Sequence, residues 1–106
     1  MKNYEYHSQL APYISGLIRQ KRADGYSYEF EAYMLEHFDR FCIKNGYDNG
    51  SLTRDPVMAW AEQRPTESKN YRNQRISFVR QLSLYMISLN IERRHGDVSF
   101  VTLLII

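Results

Sequence analysis

The stretch from Glu67 to Asn90, ESKNYRNQRISFVRQLSLYMISLN, constrains the fold of this chain more than any other. From Ile76 on, Ile76, Val79, Leu82, Tyr85, Met86 and Leu89 recur at spacings of three and four, which sets them on one stripe of a 3.6-residue helix. The opening of the same helix is different in kind. Between Lys69 and Arg80 it offers Lys69, Arg72, Arg75 and Arg80 beside Asn70, Asn73 and Gln74, with no acid. Such a helix needs neighbours over its apolar end, and its basic opening suits an anionic partner.

The preceding chain supplies those neighbours. A helix is expected from Leu10 or Ala11 to Ala23, with Pro12 in its first turn, a stripe of Leu10, Tyr13 or Ile14, Leu17 and Ile18, and Gly25 as its stop. A second is expected from Tyr28 to Asn45, with Ser27 as N-cap, Phe30, Met34, Phe38 and Phe41 as its stripe, and Asn45–Gly46 closing it. A short third helix over Pro56 to Gln63 turns Val57, Trp60 and Ala61 inward, and Thr66 or Ser68 caps the fourth. This order predicts an all-α chain: a poorly ordered N-terminal arm over 1–9 whose Tyr4 and Tyr6 can rest on the domain, a compact four-helix domain over 10–92, and a tail over 93–106.

Composition excludes several classes. An apolar fraction of 43% with 25% charged residues is ordinary for a soluble globular chain, and 106 residues suffice for a core without disulfides or a metal. Cys42 is the only cysteine, so neither an internal disulfide nor a thiolate metal cage can form, and a small buried thiol is expected. His7 and His95 have no carboxylate or second histidine at ligand spacing. No metal and no cofactor are therefore expected. The N-terminus lacks a signal-peptide core, and no run approaches the ~20 apolar residues of a membrane span, so a cytoplasmic protein is expected. A formal charge of +2 is too small to identify a polyanion partner, so the placement of the cations has to carry that inference.

The succession LAPYISGLIRQKRADGYS, EAYMLEHFDRFCIKNGY, LTRDPVMAWAEQR and YRNQRISFVRQLSLYMISLNI resembles the core-binding domain of tyrosine recombinases, the phage and transposon integrases, over Leu10 to Ile91. Its most specific part is RISFVRQLSLYM. The resemblance implies a SAM-like domain forming half of a clamp around duplex DNA, with catalysis in a separate domain and other recombinase protomers as further partners. The tail from Arg93 does not resemble the linker of that family.

Phosphate neutralisation favours cations on an acid-free helix face, and Asn or Gln side chains can reach base edges. The candidate DNA contacts are therefore Lys69, Asn70, Arg72, Asn73, Arg75 and Arg80, with a second cationic edge at Arg19, Lys21 and Arg22 and one at Lys44. Arg80 has an alternative role in a salt bridge to an acid of the second helix. His37 and Arg40 repeat an H-x-x-R spacing of recombinase catalytic domains, but within the second helix and without its partners, so no catalysis and no small-molecule substrate are expected. A self-association or protein-docking module built on the apolar run Phe100 to Ile106 is the alternative.

Overall fold

A computed structural model describes residues 4–48, 52, 54–62 and 64–89. Four helices follow one another: α1 (Ala11–Ala23), α2 (Glu29–Lys44), α3 (Arg54–Ala61) and α4 (Lys69–Ser88). The described residues contain no strand, so the chain is all-α, as its periodicity predicts. They fall into two compact units, Met1–Ser51 and Leu52–Ile106. The tail over 93–106, and with it the apolar run proposed for self-association, lies outside the described residues.

In the first unit α1 packs on α2. Ile14, Leu17 and Ile18 of α1 are buried, as are Ala32, Met34, Leu35, Phe38 and Cys42 of α2, together with Leu10 and Tyr28. Both helices end alike. Past α1, Gly25 at φ 101° lets its own N–H reach Arg22 O (3.1 Å) and the N–H of Tyr26 reach Lys21 O (3.0 Å). Past α2, Gly46 at φ 78° lets Tyr47 N–H reach Cys42 O (2.8 Å). These are left-handed glycine caps that satisfy otherwise orphaned carbonyls.

The start of α2 departs from expectation. Ser27 does not cap it; Tyr28 occupies the N-cap in a left-handed conformation (φ 55°) without a side-chain cap. A non-glycine residue pays strain there, and Tyr28 is 4% exposed, so burial of its ring offsets that strain. Of the expected α2 stripe, Met34 and Phe38 are buried, but Phe30 is not. Phe30 and Ile43 are exposed, while Ala32 and the carboxylate of Asp39 are inside.

Asp39 explains why the N-terminal segment is not a loose arm from Tyr4 on. Fully buried, it accepts hydrogen bonds from His7 N (2.8 Å), Ser8 N (3.0 Å) and Ser8 Oγ. Gln9 N donates to Asp48 Oδ1 (2.5 Å), and Tyr6 Oη donates to Ala32 O (2.8 Å). The segment is thereby tied to α2 before α1 begins.

In the second unit α3 packs on α4. Leu52, Val57, Trp60 and Ala61 are buried, as are Ile76, Phe78, Val79, Leu82 and Met86. Trp60 is the core anchor its spacing suggested, its Nε1 donating to Arg75 O (3.1 Å). Ser68 caps α4, its side chain accepting from Tyr71 N (3.1 Å). Leu89, expected on the apolar stripe, is exposed. No helix among the described residues is long and apolar enough to cross a membrane.

Candidate nucleic-acid interface

The opening of α4 separates its cations into two groups. Lys69, Asn70, Asn73 and Gln74 are exposed, and Tyr71 is partly so. Arg72 is half-buried, with Nε donating to Ala61 O (2.6 Å). Arg75 is inside, 1% exposed.

Arg75 was a candidate phosphate contact, and its burial removes it from that role. Its Nε donates to Glu67 Oε2 and its Nη2 to Glu67 Oε1, both at 2.7 Å, a two-pronged ion pair. Nη1 donates to Trp60 O and Nη2 to Glu62 O (3.3 Å), and the guanidinium lies 4.9 Å from the Trp60 ring centre. Together with the Arg72 bond, two arginines of α4 take three successive carbonyls at the end of α3, those of Trp60, Ala61 and Glu62. A helix end offers unpaired carbonyls and partial negative charge, which is what a guanidinium satisfies. The pairing with Arg75 holds the Glu67 carboxyl below its ordinary range, chiefly through the side-chain hydrogen bond.

A sequence signal for this role exists. Arg75 lies four residues before Val79, seven before Leu82 and eleven before Met86, which places it on the apolar stripe. Arg64, which the sequence reading did not select, is exposed and lies 5.4 Å from the centre of the Trp60 ring. Arg80 is half-buried, and its Nε is buried without a hydrogen-bond partner among the described residues.

The other candidates stand in the first unit. Arg19 and Lys44 are exposed. Arg22 donates from Nε to Ser27 O (3.0 Å), and Lys21 Nζ lies 5.7 Å from the Tyr26 ring centre. These latter two contacts fasten the loop after α1. His37 and Arg40 do not act together: His37 meets the Tyr33 ring edge-on at 4.5 Å, and Arg40 pairs with Glu36 at 3.2 Å.

Among the described residues no three of His, Cys, Asp and Glu gather as a metal site. Cys42 is buried, and desolvation first, then Asp39 and Asp48, pushes its thiol up to about 12, so it stays protonated and unreactive at neutral pH. Comparison with protein-family models, with curated proteins and with solved structures gave no match.

Proposed function

We propose that the opening turns of α4 bind duplex DNA through its phosphates, as the core-binding half of a recombinase-like clamp. Lys69, Arg72 and Arg64 supply charge, and Asn70 and Asn73 stand ready for the backbone or a groove edge. The chain in this reading is a cytoplasmic, non-catalytic module, with catalysis in a separate domain and other recombinase protomers as further partners.

One observation carries the reading. The first turn of α4 contains Lys69 and Arg72 nearby but no acid, although the positive end of a helix disfavours cations. Arg75 is explained by Glu67 and the end of α3, and Arg72 in part by Ala61, but Lys69 is exposed at the least favourable position. The nearest acid, Glu67, is already neutralised by Arg75, so it does not cancel the charge of that surface.

Titration of a labelled duplex at about 50 and about 200 mM salt tests this. Three phosphate contacts give a log–log slope of about −2.7 and a loss of roughly 40-fold between those salts. Binding that ignores salt, or that survives the joint change Lys69→Ala and Arg72→Ala unaltered, rejects the reading.

A further inference from the structure

The first unit holds a cleft of about 300 Å³ that this DNA contact does not use. Tyr4 and Tyr6 of the N-terminal segment line one part of it, and Ser15, Ile18, Arg19 and Arg22 of α1 another. The spacing of Ser15, Arg19 and Arg22, four and then three residues, puts them on consecutive turns of one helix face. Opposite in chemistry are the rings. Tyr4 lies 5.9 Å from Tyr33, and Tyr33 lies 6.4 Å from Phe30, both of the latter exposed.

Each part is held in place. Arg22 is oriented by its Nε bond to Ser27 O (3.0 Å). Tyr6 is anchored on Ala32 O (2.8 Å), and burial raises its phenol so that it adds no negative charge to the cleft at neutral pH. Glu36, an acid that acts on Tyr6, is paired with Arg40. The Asp39 clamp on His7 and Ser8 fixes the segment that carries both tyrosines.

We propose that this cleft binds one nucleotide unit, with its phosphate on Arg19 and Arg22 and its base against Tyr4. Guanidinium groups match phosphate oxygens in a two-pronged geometry, and an aromatic ring face accepts any base. A simple anion would leave the aromatic side of the cleft unused, and a neutral ring would leave the arginines unused. The volume stands at the lower end of the ~300–1,000 Å³ of small-molecule sites, which suits one nucleotide. A free mononucleotide and an unpaired nucleotide of a single strand present the same chemistry.

Backbone amide NMR of the full chain separates these cases, with deoxyadenosine monophosphate, inorganic phosphate and an oligothymidylate as probes. Deoxyadenosine monophosphate is expected to shift the amides of Ser15, Ile18, Arg19 and Arg22 and to bind about tenfold more tightly than inorganic phosphate. Tyr4→Ala removes that advantage, Tyr4→Phe keeps it, and Arg19→Ala weakens both anions, while far-ultraviolet circular dichroism verifies that each variant is folded. Tighter binding of the oligomer supports the single strand as source, and equal or weaker binding supports the free nucleotide. Equal response to phosphate and nucleotide overturns the proposal, as does binding untouched by Tyr4→Ala and Arg19→Ala. Lys69→Ala leaves this site unchanged, so its failure and that of the duplex reading are distinguishable.

Discussion

Asp39 in the first unit and Arg75 in the second are each buried to 1% exposure or less, and they are satisfied by opposite means. Asp39 is an anion held by dipoles: two backbone N–H groups and one hydroxyl, all from residues 7 and 8. Arg75 is a cation held by a full opposite charge, by carbonyls at the end of α3 and by the Trp60 ring. Each fastens a short or irregular piece of chain to a longer helix. The eight residues of α3 and the segment before α1 are too short to hold themselves as independent structure, so directional polar contacts complete what hydrophobic burial leaves loose.

The largest effect is expected at Arg75. Arg75→Ala strands the Glu67 carboxylate and the carbonyls of Trp60 and Glu62, and should cost about 3–5 kcal/mol in urea unfolding. A cost near that of an exposed residue would mean the clamp is not what joins α3 to α4.

Asp39→Ala follows, at about 2–3 kcal/mol, because two N–H groups and a hydroxyl lose one charged acceptor. Hydrogen exchange at the His7 and Ser8 amides should accelerate more than exchange in α4. Uniform acceleration would instead assign Asp39 to the whole fold and weaken the contrast between the units.

Acid should distinguish the two charges further. The Glu67 carboxyl is lowered in the folded state, so the stability it contributes is present above its unfolded pKa and is lost as pH falls through its folded pKa. Unfolding midpoints measured from neutral pH into that range should fall more steeply for the native chain than for Glu67→Gln. Parallel curves would remove Glu67 as a source of acid sensitivity.

The smallest effect on stability belongs to Lys69. Because it is exposed and opposes the helix dipole, Lys69→Ala should leave stability within about 0.5 kcal/mol of the native chain, or raise it slightly, while duplex affinity falls. Lost stability with unchanged duplex affinity would make Lys69 structural, like Arg75.

The four helices were legible because their cores follow the 3.6-residue period, and α1, α2 and α4 also carry a glycine or serine cap. Ser68 and Gly46 needed only local chemistry to be read. The roles of Arg75 and Asp39 were not legible in the same way. Residue type marks Arg75 as a surface charge and gives Asp39 no distinct role, yet their partners lie 8 and 31 or more residues away along the chain. The cleft beside Tyr4 was likewise unreadable, since it needs a segment that folds back over 26 residues to reach Ala32.

Local pattern by itself determined that this chain is helical, where its helices stop, and that the start of its last helix is rich in cations without acids. Tertiary structure decided which of those cations remain available, because whether a charge meets water or a partner depends on contacts that close over long stretches of chain. Periodicity assigns a residue to a face; only packing decides whether that face is covered.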